Sequence, residues 1–265
     1  MQHRAKKSLG QNFLKSPHYA EVLCDAARVS VGDAVLEIGP GQGILTKVIL
    51  ARGANLIAVE KDDSLHEQLQ KTFAKEISSR QLELVHGDIL DSKSYKLPAV
   101  SYKLVANIPY NITGEILRFF LGGNNQPISA TLMIQKEVAE RILCRDGKQS
   151  LLSISIAVFG TPHLITKVSK GNFRPQPKVD SAILHIDSIS KSFFRNGDEE
   201  KEFFKLIKAG FAHKRKKVSS NISEFYPKHT VLGAFSDLSL GENERAENIS
   251  KEIWLSLLRK LSKNV

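Results

Sequence analysis

The densest chemistry in the chain lies at Asn107-Ile108-Pro109-Tyr110, where an amide, a carbonyl beside a proline kink and an aromatic ring crowd the end of an apolar run. A second group is Glu37-Ile-Gly39-Pro-Gly41-Gln-Gly43, which follows another such run and opens a helical stretch. Glycines let a backbone approach a ligand and adopt positive φ, and a helix start offers free N–H groups. The next apolar run ends at Glu60, whose carboxylate can accept both hydroxyls of a ribose. The spacing is GxGxG, not the GxGxxG of pyrophosphate cradles, so it suits a nucleoside without phosphates. His86-Gly-Asp88-Ile-Leu90 adds a carboxylate at the same sheet edge, placed to accept from an adenine amino group. Without a ligand, the same residues would be a tight βα turn, a surface Glu and a helix-capping Asp.

The elements that must position these groups are short Val-, Ile- and Leu-rich runs: 34–38, 56–59, 82–85, 102–106, 130–134, 164–168 and 182–186. Helix-like stretches separate them, which predicts parallel βαβ units and an α/β fold with a seven-stranded sheet. The stretch 150–160 fits both templates, since Ile154, Ile156 and Val158 alternate as in a strand while the length suits a buried helix. Around 188–200 the apolar pattern lapses, and beyond it the spacing turns helical. The expected division is therefore a domain of residues 1–190 and a small helical domain of residues 191–265. In the latter, Trp254, Leu255, Leu258 and Leu261 have the spacing of a core-facing helix stripe.

The chain has 265 residues, with 38 Lys and Arg against 28 Asp and Glu, a net charge of +10 that points to a polyanionic partner. Half of that excess lies in the last 75 residues, which hold 15 basic and 10 acidic side chains. At 42% hydrophobic and 25% charged, the composition is globular and excludes general disorder. Cys24 and Cys144 share no CxxC spacing, so neither a disulfide framework nor a metal site is expected, and the compartment is expected to be the cytoplasm. The sequence has neither a secretory h-region after Met1 nor an apolar run long enough to span a membrane.

Taken together, Gln11-Asn-Phe-Leu14, the GxGxG turn, Glu60, Asp88, Asn107-Ile-Pro-Tyr110 and Asn172-Phe-Arg-Pro-Gln-Pro-Lys-Val-Asp-Ser181 resemble the S-adenosylmethionine-dependent rRNA adenine N6-dimethyltransferases. The small-subunit, KsgA-type branch is the most similar, and the resemblance runs to Arg245-Ala-Glu-Asn-Ile-Ser250. It implies a Rossmann-like class I methyltransferase sheet followed by a helical RNA-contacting domain. The implied activity is dimethylation of two adjacent adenines near the 3′ end of 16S rRNA in an immature 30S subunit. It implies that Asn12, Leu14, Gly39, Gly41, Gly43, Glu60, Asp88, Ile89 and Asn107 hold S-adenosylmethionine.

The target, adenine N6, is a poor nucleophile because its lone pair is delocalised into the ring. Asn107 and the carbonyl of Ile108 or Pro109 suit the task of holding its amino protons, Tyr110 that of stacking on the base, and Phe173 that of covering the other face. Two positions depart from the branch: Ile108 stands where Leu is common, and Thr113-Gly-Glu115 replaces Ser-Thr-Pro. From Phe203 to Ser223 there is no acid, while Lys205, Lys208, Lys214, Arg215, Lys216 and Lys217 fall in what reads as one helical stretch suited to RNA phosphates. Arg4, Lys6, Lys7 and Lys15 extend the basic character at the other end. A monomer is expected. The alternatives are a 23S rRNA methyltransferase of the macrolide-resistance type and an RNA-binding assembly factor without essential catalysis.

Overall fold

The computed structural model describes residues 6, 10–91, 95–97, 101–213 and 215–262. Its first half runs β1 (Phe13–Leu14), α1 (Pro17–Ala26), β2 (Ala34–Ile38), α2 (Ile44–Ala51), β3 (Asn55–Glu60), α3 (Asp63–Thr72), α4 (Ala74–Ser78), β4 (Leu82–His86) and β5 (Tyr102–Asn107). There follow α5 (Thr113–Gly122), β6 (Ser129–Gln135), α6 (Lys136–Ile142), α7 (Leu151–Ala157), β7 (Thr161–Val168), β8 (Phe173–Arg174) and β9 (Ser181–Asp187). The last helices are α8 (Gly197–Gly210), α9 (Val218–Ile222), α10 (Lys228–Asp237) and α11 (Lys251–Leu261).

Seven strands form one sheet in the order β4-β3-β2-β5-β6-β9-β7, while β1 and β8 make a separate two-stranded ribbon. The neighbours from β4 to β6 are parallel, as their apolar runs and intervening helices require. Strand β9 departs from the all-parallel expectation, because it runs antiparallel to both β6 and β7. Such a pairing needs no crossover helix, and none stands between β7 and β9. From β2 the chain winds outward to β4 and then returns to β5 on the other side of β2. That reversal opens a crevice beyond the carboxyl ends of β2 and β5, where open α/β sheets bind ligands. Register aligns those ends: Ile38 lies beside Val59 and Ala106, and Glu60 beside His86.

The chain divides into two compact units, Met1–Ala139 with Gly160–Ser190, and Glu140–Phe159 with Lys191–Val265. A cut at 190/191 thus leaves out a stretch that joins the C-terminal unit. The reason is visible in the packing: Phe159 meets the rings of Phe194 and Phe204, and Gln149 N–H donates to the carbonyl of Glu247 at 2.7 Å. Within that stretch the ambiguous 150–160 is helix α7, started by a capping box in which Ser150 and Ser153 each accept the other's N–H. The core of the first unit includes Leu14, Val35, Val105, Met133, Phe173 and Ile183. In the second unit Trp254, Leu255, Leu258 and Leu261 are buried, as their spacing requires.

Candidate functional site

A single open cavity at the β2/β5 crevice gathers nearly all the chemistry read from the sequence. It encloses about 1250 Å³ of empty space when the solvent at its open mouth is counted. Asn12, Leu14, Gly39, Gly41, Glu60, Asp88, Ile89, Asn107, Pro109 and Tyr110 all line it.

The glycines of the turn differ in what they face. Gly39 has φ +60° and nothing within 4 Å of where a Cβ would stand, so it leaves the wall smooth for a ligand. Gly41, at φ +59°, would place a Cβ 3.1 Å from the Phe13 ring. Gly43 is not on the cavity wall, a correction to the sequence reading. It begins α2 at φ +80°, and a Cβ there would stand 2.7 Å from the Phe73 ring, so it serves helix packing.

Glu60 is buried, with Oε1 accepting from Asp62 N–H at 2.9 Å and Oε2 from Gly41 N–H at 3.0 Å. Burial raises its pKa, against the opposing effect of those bonds. A carboxylate has about four acceptor sites, so two bonds leave it able to receive ligand hydroxyls. Asp88 is held below the ordinary carboxylate range, first by Lys61, whose Nζ lies 2.7 Å from Oδ2, and then by the N–H of Leu90 on Oδ1. This ion pair is invisible in the sequence.

Glu37, in the middle of β2, also reaches the cavity and is 1% exposed. The Thr46 hydroxyl donates to it at 2.7 Å, and burial, against the bonds from Thr46, raises its pKa to about 8, which favours the neutral acid. Sequence reasoning quoted this residue only as the start of the glycine motif. Its signal was a lone acid inside an otherwise apolar strand.

At the end of β5, the Asn107 amide donates to the carbonyl of Asn12 at 3.3 Å, and its oxygen has no donor among the described residues. Pro109's carbonyl accepts from Ile112 N–H at 3.2 Å, which closes the turn that follows, and a carbonyl's second lone pair leaves both it and the Ile108 carbonyl able to act as the second acceptor. The Tyr110 hydroxyl lies 2.6 Å from that of buried Ser181 at the start of β9, which fixes the ring as part of the wall. Burial raises the tyrosine's pKa.

Phe173 is a second correction. It is 2% exposed, pairs with Leu14 across the β1–β8 ribbon and belongs to the core, so it is not a cavity face. An apolar ring on a short strand buries more area against the sheet than it would at a wet mouth.

The basic run is not one helix. Lys205 and Lys208 lie on α8, which stops at Gly210, while Arg215, Lys216 and Lys217 are exposed on the loop before α9. The end of α8 is fixed by side chains from elsewhere: Trp254 packs where a Cβ at Gly210 would stand, 2.2 Å from the ring, and Asn221 Nδ2 donates to the carbonyls of Gly210 and His213. Lys205 is paired with Glu202 at 2.6 Å, one turn earlier. Lys214, Arg4 and Lys7 lie outside the described residues. Among the described residues no helix is long and apolar enough to cross a membrane, and no cluster of acids, His and Cys is arranged for a metal ion.

Comparison with known proteins gives four findings. The family described as ribosomal RNA adenine dimethylase matches residues 2–263. The ribosomal RNA small subunit methyltransferase A of Dehalococcoides mccartyi is 39% identical over 258 residues, 96% of this chain and 87% of that protein. Among solved structures, a dimethyladenosine transferase from Plasmodium falciparum superposes with a TM-score of 0.82 at 26% identity, covering 95% of this chain and 98% of that one. The 23S rRNA methyltransferase ErmE shares the fold at a TM-score of 0.75 and 24% identity, over 95% of this chain and 100% of that one.

Proposed function

The chain belongs to the ribosomal RNA adenine dimethylase family, and from that premise we propose that it dimethylates N6 of two adjacent adenosines near the 3′ end of 16S rRNA. S-adenosylmethionine is the proposed cofactor, and an immature 30S subunit in the cytoplasm the proposed substrate, met by a monomer. The observation that carries the reading is the Asn107 Oδ1 acceptor at the end of β5 beside the main-chain carbonyls of Ile108 and Pro109, on the wall of a cavity that also holds Glu60 and Asp88. Two acceptors and no strong base suit an exocyclic amino group.

The cavity fits the cofactor by its open wall and its acceptors: open space at Gly39, a buried carboxylate with unused acceptor sites at Glu60, and a second carboxylate at Asp88. When bound, it supplies an electrophilic methyl group on a sulfonium. Glu60 holds the ribose hydroxyls and Asp88 the adenine amino group. Asn107 Oδ1 and the Ile108 or Pro109 carbonyl accept hydrogen bonds from the target amino group, which favours a pyramidal nitrogen whose lone pair is free to attack; the nitrogen sheds one proton to solvent with each methyl it gains, so both acceptors are engaged in the first transfer and one in the second. Tyr110, braced by Ser181, stacks on that base once it is unstacked from the RNA. The protein's contribution is positioning and electrostatics. Lys208, Arg215, Lys216 and Lys217, with Lys205 and Lys214, neutralise rRNA phosphates.

The ErmE likeness extends to the fold alone, whereas the small-subunit relative is 39% identical over 96% of this chain. The test is transfer of labelled methyl groups to under-methylated 30S particles and, in parallel, to naked 23S rRNA, with nucleoside analysis. Dimethyladenosine in the 30S particles is the expected product. Label confined to 23S rRNA would assign the chain to the large-subunit reaction, and RNA binding without label would leave an assembly factor.

A further inference from the structure

Asp62 has no part in the chemistry above, yet its side chain is 0% exposed and it stands two residues beyond Glu60. Its two oxygens divide their work. Oδ1 accepts from Ser64 N–H at 3.1 Å, the Ser64 hydroxyl at 2.7 Å and Leu65 N–H at 3.3 Å, which caps α3. Oδ2 meets Lys6 Nζ at 3.0 Å and Gln11 Nε2 at 3.1 Å. Gln11 Oε1 in turn accepts the main-chain N–H of Lys6 at 2.7 Å, so Lys6, Gln11 and Asp62 close a ring of hydrogen bonds.

That ring ties down one wall of the cavity, because residues 10–14 all line it. Asn12 receives the amide of Asn107, and Gly10 passes so close to Asn111 that a Cβ would stand 2.6 Å from Oδ1. On the other side, Asp62 N–H donates to Glu60 Oε1 at 2.9 Å. A helix cap uses one carboxylate oxygen, so the second, buried against a cation and an amide from a distant segment, serves something else.

We propose that Asp62 is a positioning residue that latches Lys6 and residues 10–14 across the cofactor cavity, and that release of this latch sets how fast spent cofactor leaves between methyl transfers. This rests on the proposed function, in which each target nitrogen receives two methyl groups and the cofactor must be exchanged between them.

Asp62→Asn separates the two roles. Asn caps helices as well as Asp does, so its oxygen keeps the cap while its NH₂ falls opposite the donors of Lys6 and Gln11. Lys6→Met removes the charge from the other, half-exposed side. Dissociation of S-adenosylhomocysteine from the full chain is measured by chase, with amide hydrogen exchange across residues 10–15 in the cofactor-free protein. Each single variant is expected to speed dissociation roughly fivefold, to speed exchange, and to raise KM for the cofactor without lowering kcat. The double variant is expected to be no faster than Asp62→Asn alone, because that change already removes the bond to Lys6 along with the one to Gln11. Dissociation at the wild-type rate in Asp62→Asn, or fully additive effects, would overturn the proposal. A wild-type chain that bound no cofactor would refute the functional reading instead, and unchanged exchange in Asp62→Asn would then overturn the latch by itself.

Discussion

Gly39 and Gly43 sit in one turn with nearly the same backbone conformation, yet alanine at each should fail for a different reason. At Gly43 the positive φ costs about 1–2 kcal/mol for any L side chain. The added methyl would also stand 2.7 Å from the Phe73 ring and 3.0 Å from Leu69, and such overpacking costs about 1–3 kcal/mol. The sum, about 2–5 kcal/mol, lowers Tm by roughly 4–20 °C at about 2–4 °C per kcal/mol. At Gly39 only the backbone strain applies, for roughly 2–8 °C, because nothing lies within 4 Å of the new methyl. That methyl instead occupies the cavity wall, and cofactor affinity should fall tenfold or more, which is a loss of at least about 1.4 kcal/mol. The assay pairs thermal unfolding with titration calorimetry of S-adenosylhomocysteine at a temperature where both variants are folded. If Gly43→Ala is as stable as wild type, or Gly39→Ala binds normally, the assignment of one glycine to packing and the other to the ligand is wrong.

Asn107→Ala should lower methyl transfer by about 10²–10³-fold, as loss of a preorganised polar group does, with a smaller loss of cofactor affinity through Asn12; single-turnover rates check it. Tyr110→Phe keeps the ring but loses the 2.6 Å bond to Ser181, so transfer should drop only a few-fold, for a bond worth about 1 kcal/mol, while Tyr110→Ala should drop it much further. Glu37 has a folded-state pKa of about 8 against an ordinary 4.5, so the native state holds the extra proton. Its stabilising contribution is therefore complete below pH 4.5 and declines as pH rises through 8, and Glu37→Gln, which mimics the neutral acid, should flatten that decline in Tm. Replacing Lys208, Arg215, Lys216 or Lys217 by Ala should each reduce the salt slope of rRNA binding by about 0.7–0.9, and Lys205→Ala by less because Glu202 already pairs with it, as filter binding across a salt series would report.

Much of this protein was legible without coordinates because the informative patterns are local. Seven apolar runs marked seven strands, and the residues following them fell at one sheet edge, since parallel strands align their carboxyl ends. The glycine turn, Glu60, Asp88 and Asn107-Ile-Pro-Tyr110 each announced themselves by residue type and by position after a strand. The alternation of 150–160 misled no one but decided nothing, because a short apolar run fits a buried helix as well as a strand. What settled it was a pair of serines exchanging hydrogen bonds.

The amino-acid sequence by itself determined the strands, the chemistry at their ends, the basic tail and the family resemblance. Tertiary structure decided how those groups are used. It turned β9 antiparallel, moved Glu140–Phe159 into the C-terminal unit, buried Phe173 in the core and packed Gly210 of α8 against Trp254. It also gave Gly39 to the cavity and Gly43 to Phe73, engaged the Pro109 carbonyl in the turn after β5 and split the oxygens of Asp62 between a helix and a distant strap. The physical reason is the same in each case. Local propensity fixes what a residue is able to do, but which of its surfaces and hydrogen-bonding atoms remain unused depends on segments far away in the chain, and only packing brings those together.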